Sequence, residues 1–145
     1  MTPSQKLGTE ERLIEVAKQQ LTRHGIYGLE IRTLAKLANT STSRFHAYFE
    51  CRDELLARIF DEGWLLVGRH IGDKLLAVVG GLEDSAVAVI DGALAAFEED
   101  PATVGATAII WNLAFGQPLV KRLRETEGFA VYRRITETFM ARFGR

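Results

Sequence analysis

The segment from Ile31 to Phe49 holds the side chains best able to do chemistry. It carries Arg32, Lys36 and Arg44 without a single acid, and adds Thr42, Ser43, His46 and Tyr48 as hydrogen-bonding groups. Arginine can bond guanine O6 and N7 together, while threonine and serine are less selective. A cationic, donor-rich segment of this kind suits a polyanion. Catalysis has no comparable support. His24, His46 and His70 are too scattered for a metal box on one helix, and no glycine-rich phosphate loop or nucleophile motif occurs. The residues therefore predict a non-enzyme without a cofactor. Cys51 beside Arg52 at a helix start could be a redox-sensitive thiol; the plainer reading, which we favour, is a weak substitute for serine at an N-cap.

The elements that must position these groups follow from spacing. Apolar residues at 31, 34, 35 and 38 make the stripe of a short amphipathic helix. Asn39-Thr40-Ser41 interrupts it, with Asn39 able to take the left-handed conformation that ends a helix and Ser41 a good N-cap for the next. That next helix carries Phe45 and Phe49 on one face. Two short helices joined by a tight turn predict a helix-turn-helix whose second helix enters a DNA major groove. Ala35 permits the close crossing, and Leu34 and Phe45, with Tyr48 as a further candidate, are expected to fill the wedge.

The chain has 145 residues, 47% hydrophobic and 26% charged, which is ordinary globular composition. No apolar run is long enough to suggest a membrane span, and the first eight residues lack the apolar core of a signal peptide. A cytoplasmic protein without a membrane partner is expected. One cysteine excludes an internal disulfide. The net charge of −1 is unevenly spread. Residues 1–52 hold eight Lys/Arg against five Glu, and residues 53–145 hold ten against fourteen Asp/Glu. A basic head beside an acidic body fits a polyanion at one end only.

In chain order, residues 1–8 read as a loose tail, and Thr9 with Glu10 and Glu11 opens a first helix that Gly25 ends. Ile26 to Leu29 form a tight link packed under the head. A long fourth helix starts near Glu50–Glu54 and reaches residue 72 or beyond, coupling head to body without a flexible linker. Val79-Gly80-Gly81 breaks the chain. A fifth helix over 82–99 carries Ala86, Ile90, Ala93 and Phe97 on one face, widened by Val87, Val89 and Leu94. Asp100-Pro101 starts a sixth, apolar nearly all round as a central buried helix would be. Gly116-Gln117-Pro118 breaks or kinks it, and Gly128 precedes a last amphipathic helix. No strand pattern, repeat or low-complexity run appears. The chain is predicted all-α.

A DNA-binding head of three helices, a long fourth helix and a helical body resemble the TetR family of transcriptional regulators. The likeness rests on Glu11-Arg12-Leu13-Ile14 with Ala17, His24-Gly25-Ile26-Tyr27, Leu34-Ala35-Lys36-Leu37-Ala38 and Phe49-Glu50-Cys51-Arg52-Asp53-Glu54-Leu55-Leu56. It implies a helix-turn-helix head over 1–52 and an effector-binding, dimerising body over 53–145. It also implies a homodimer on double-stranded operator DNA, released by a small-molecule effector. Asn39 stands where the family usually has Gly, Thr40 replaces an aliphatic residue, and Ser43-Arg44-Phe45-His46 replaces Gly-Thr-Leu-Tyr. The resemblance further implies two more helices for the dimer interface, so either the last helix here pairs the subunits or the sequence is short.

Carried onto this sequence, the resemblance places Arg32, Thr42, Ser43, Arg44 and Tyr48 where base edges are reached. His46, Arg52 and the N-terminus of the fourth helix are candidates for phosphate. Trp64, Phe97, Trp111, Phe115, Phe129 and Tyr132 are candidates for lining an effector site, although aromatics at helical spacing more often form plain core. The few charges near Trp111 and Phe115 suggest an apolar effector. The expected function is a repressor; the alternative is a helical dimerising or ligand-carrying module that does not read DNA.

Overall fold

The computed structural model describes residues 8–143; all but Gly8 of the tail expected over residues 1–8, and the side chains of Tyr27 and Gly28 in the link, lie outside the described residues. Among the described residues eight α-helices run in order: α1 (Thr9–His24), α2 (Ile31–Leu37), α3 (Thr42–Tyr48), α4 (Arg52–Leu76), α5 (Leu82–Glu99), α6 (Pro101–Ala114), α7 (Leu119–Arg124) and α8 (Glu127–Phe143). A 3₁₀ turn over Gly25–Gly28 follows α1, and Gly25 takes φ 63° at its end. Among the described residues no helix is long and apolar enough to cross a membrane.

The start of α6 is chemically marked. Asp100 accepts the Thr103 N–H at 3.1 Å, with Pro101 in the first turn of α6. Burial pushes the Asp100 carboxyl up, but the Thr103 hydroxyl and N–H, with the charge of Lys18, outweigh it and hold it below its ordinary value.

Helix α4 is the spine, contacted by α5, α6, α7 and α8 along its length. Small residues let the axes approach. A Cβ on Gly63 would lie 1.8 Å from Thr107 Oγ1, one on Gly68 2.2 Å from Val131 Cγ1, and one on Gly92 2.6 Å from Ile71 Cα.

That closeness overturns the expected buried face of the fifth helix. α5 buries Ser85, Ala88, Gly92 and Ala96. Val87, Ile90, Leu94 and Phe97 are between 48% and 59% exposed. Contact with the α4 backbone leaves room only for small side chains, so the larger ones point outward. Gly128 is likewise a contact and not a breaker. It lies inside α8, buried against the backbone of Asp61, whose carboxylate accepts its N–H at 2.6 Å. The Gly116 break, at φ 75°, separates α6 from α7 completely.

One continuous core joins the two ends. Leu13, Ala17 and Leu21 of α1, Leu34 and Phe45 of the head, Leu55, Leu56, Ile59 and Phe60 of α4, and Ala106, Ile110, Leu119 and Leu123 of the body belong to it.

Candidate nucleic-acid interface

Helices α2 and α3 meet through the turn Ala38–Ser41. Asn39 takes φ 54°, and the N–H of Thr40 returns to Ala35 O at 2.9 Å. Ser41 Oγ accepts the Arg44 N–H at 3.1 Å and so starts α3. Leu34 and Phe45 are fully buried and Ala35 nearly so, closing the wedge between the helices. Phe45 packs on Phe49 with ring centroids 5.5 Å apart. Tyr48 is not in the wedge; it is exposed, with the Arg44 guanidinium 5.9 Å from its ring centroid. The i, i+4 spacing that carries the arginine over the ring also turns both residues away from Phe45.

The turn between α2 and α3 is braced by α1. Arg12 of α1 donates from Nε to Ala38 O at 3.1 Å, fixing the end of α2. With Phe45 anchored inward, Thr42, Ser43, Arg44 and His46 all face solvent on α3, and Arg32 does so on α2. A shallow hollow of about 590 Å³ is lined by Arg32, Lys36, Asn39 and Thr42, so the polar groups of both helices share one surface. His46 sets its ring edge-on to Phe45 at 5.4 Å. Arg52 opens α4, half exposed, with Asp53 at 3.9 Å. Cys51 stands at the N-cap position of α4, and its side chain makes no capping bond. The Glu54 carboxylate accepts the Glu50 N–H instead, at 2.5 Å.

The effector candidates divide. Trp64, Trp111 and Tyr132 share one aromatic cluster, with Tyr132 about 5 Å from both indoles. Phe115 meets the edge of Trp111 at 5.3 Å yet is 64% exposed. Phe97 is elsewhere, on the outer face of α5. Among the described residues the buried Trp64 indole N–H has no hydrogen-bond partner. Phe60, stacked on Trp111 at 5.6 Å, and Phe129 complete the cluster. Phe129 is a candidate from sequence, whereas Phe60 reads there as no more than a helix-face residue, because only the fold brings α4, α6 and α8 together. Two apolar grooves open on α8. One, of about 370 Å³, runs between α5 and α8 past Ala86, Ile90, Ile135 and Met140. The other, of about 440 Å³, lies over the far end of α4 beside Leu75 and Phe143.

Solved structures share this architecture. The fatty acid degradation regulator FadR from Bacillus halodurans superimposes with a TM-score of 0.68 at 17% identity, over 94% of this chain and 68% of that one. A protein assigned to the TetR family of transcription regulators from Shewanella sp. PV-4 gives 0.60 at 18% identity, over 91% and 72%. The fold is that of the TetR-type regulators. The superantigen PfiT has it too, at 0.65 and 15% identity, over 91% and 66%. No protein-family profile matches the chain, and no curated protein matches it. At these identities the likeness to TetR-type proteins is one of fold, and what each neighbour does is its own property.

Proposed function

We propose that the protein is a sequence-specific, DNA-binding transcriptional regulator. It acts as a homodimeric repressor whose two heads (residues 1–52) read operator DNA and whose bodies (residues 53–145) release it on taking up a small apolar effector. One observation carries this reading: Phe45 is fully buried while Thr42, Ser43, Arg44 and His46 on the same helix are all exposed. A seven-residue helix anchored on one side and polar on the other fits a major groove. Arg32, Thr42, Ser43 and Arg44 take base edges, with Tyr48 alongside Arg44. His46, Arg52 and the start of α4 take phosphates. Trp64, Trp111, Phe115 and Tyr132, with Phe97 from α5, are the aromatic groups assigned to the effector.

The test is Arg44→Ala on operator selected from a palindromic pool. Loss of a base-contacting arginine lowers affinity by about 10- to 100-fold, with the thermal midpoint unchanged because Arg44 is exposed. Affinity equal to the parent's overturns the placement of the reading helix. One neighbour with the same fold is a superantigen, which favours keeping a second reading, a helical dimerising or ligand-carrying module that does not read DNA. Salt separates the two, since phosphate contacts make affinity fall steeply with added salt.

A further inference from the structure

The contact between α4 and α8 opens one turn beyond Gly68. A Cβ on Gly68 would strike Val131, whereas one on Gly72, on the same face of α4, would meet nothing within 4 Å. Glycine weakens a helix interior, and the close packing that accounts for Gly63, Gly68 and Gly92 is absent at Gly72. The space beside it is the groove of about 440 Å³ over the far end of α4, a volume within the range of small-molecule sites. Gly72 lies about 12 Å along the helix axis from Trp64, at 1.5 Å per residue, so this groove stands apart from the aromatic cluster.

Its walls are apolar, from Leu75 and Leu76 of α4 and from Phe139 and Phe143 of α8. Two polar side chains in the lining distinguish it from a plain packing defect. Ser85, on the face of α5 that meets α4, is 1% exposed, and its Oγ has no hydrogen-bond partner among the described residues. A buried hydroxyl without a partner is destabilising, and an oxygen from outside would satisfy it. Arg142 is the one charged residue in the described lining. It is exposed, its guanidinium lies 5.3 Å from the ring centroid of Phe143, and it is in no ion pair among the described residues. No acid offsets it within the groove, so the charge there suits an anion.

We propose that this groove binds a small carboxylate with an apolar body. One carboxylate oxygen accepts the Ser85 hydroxyl, and the guanidinium of Arg142 pairs with the other from the solvent side. The apolar body fills the space beside Gly72, between Leu75 and the rings of Phe139 and Phe143. The inference rests neither on DNA reading nor on the effector assigned to the aromatic cluster.

Calorimetric titration of the full chain with para-butylbenzoate, and with para-butylbenzamide as its neutral counterpart, tests it. The carboxylate binds at one site per chain with a dissociation constant below about 1 mM, and the amide binds at least about tenfold more weakly. Ser85→Ala weakens the carboxylate by about 10- to 100-fold and melts no lower than the parent, because the hydroxyl it removes had no partner. Arg142→Gln abolishes the preference for carboxylate over amide. Gly72→Leu fills the groove and abolishes binding, with the melting temperature held or raised, since leucine is the better helix former. A parent that takes up no carboxylate saturably, or takes the amide equally well, overturns the ligand class. Binding that survives both Gly72→Leu and Ser85→Ala overturns the site and puts the ligand elsewhere, the aromatic cluster included. A melting temperature that falls in both variants overturns the open groove itself.

Discussion

At Gly63 the spine helix passes so near α6 that a methyl group has no room, since Thr107 Oγ1 would be 1.8 Å and Thr107 Cβ 2.7 Å from it. Thr107 cannot rotate away freely, because its hydroxyl donates to Thr103 O at 2.7 Å. Gly63→Ala gains helix propensity but is expected to cost about 1–3 kcal/mol net through overpacking. Urea denaturation measures it, and the loss should shrink in a Thr107→Ala background; an unchanged midpoint contradicts the crossing. Such positions were not legible in the sequence. A glycine inside a helical pattern looks like a weak helix former, and nothing local says which neighbour it touches. Asn39 and Ser41 were legible, because positive φ and N-capping are settled within four residues of chain. Tyr48 was misplaced in the wedge because its spacing from Phe45 does not reveal the arginine beside it.

Among the elements, α3 is the most dependent on its cap. Seven residues are too few to be helical alone, so Ser41 Oγ on the Arg44 N–H and the anchor Phe45 define where Arg44 points. Ser41→Ala is expected to cost about 1 kcal/mol and to weaken DNA binding, read by thermal melting and by titration with operator. A variant that melts lower yet binds as before would uncouple the cap from the reading face. The pairing of α4 with α5 makes a separate, pH-dependent prediction. Glu99 at the end of α5 accepts hydrogen bonds from His70 and from Arg69, the latter at 2.9 Å, and these hold its carboxyl below the ordinary value. A carboxylate lowered by folding adds stability that is complete above its unfolded pKa of about 4.5 and is lost as pH falls through the folded value. Glu99→Gln should therefore flatten the acid side of the melting-temperature profile. Parallel acid-side profiles for parent and variant would show that the pair adds nothing. The breaks at Gly25, Gly80-Gly81 and Gly116 were readable as punctuation. The buried side of α5 was not, since hydrophobicity ranks Ile90 and Phe97 above Ala88 and Gly92, whereas the narrow gap to α4 ranks them by size.

For the whole molecule, the boundary proposed between head and body near residue 52 does not divide the packing. α1 belongs to both. Its Leu13, Ala17 and Leu21 are buried in the same core as Phe45 and Phe49 of the head and as Ala106 and Ile110 of the body. Lys18, on the same helix, is 2% exposed. Its ammonium lies 3.3 Å from Glu15 and 3.4 Å from Glu62 of α4. Arg58 of α4 reaches back to Glu10 of α1 at 3.0 Å, and Arg122 of α7 to Glu50 at 3.6 Å. The exposed pairs are worth little singly, so the shared apolar core carries the coupling and the ions set its register. Removing the body would uncover Leu13, Leu21 and Phe49 at once, a greater apolar loss than a fifty-residue head can absorb. The full chain is therefore expected to unfold in one cooperative step, with Trp64 and Trp111 fluorescence reporting the body and amide exchange in α2 and α3 reporting the head at the same denaturant midpoint. Coupling of this kind is also what an effector in the body requires, because a shift of α4 or α6 can move α3 only if the core between them stays intact. If the amides of α2 and α3 exchange through an opening well below the global unfolding free energy, the head is a separate folding unit. A ligand in the body would then have no rigid path to the reading helix.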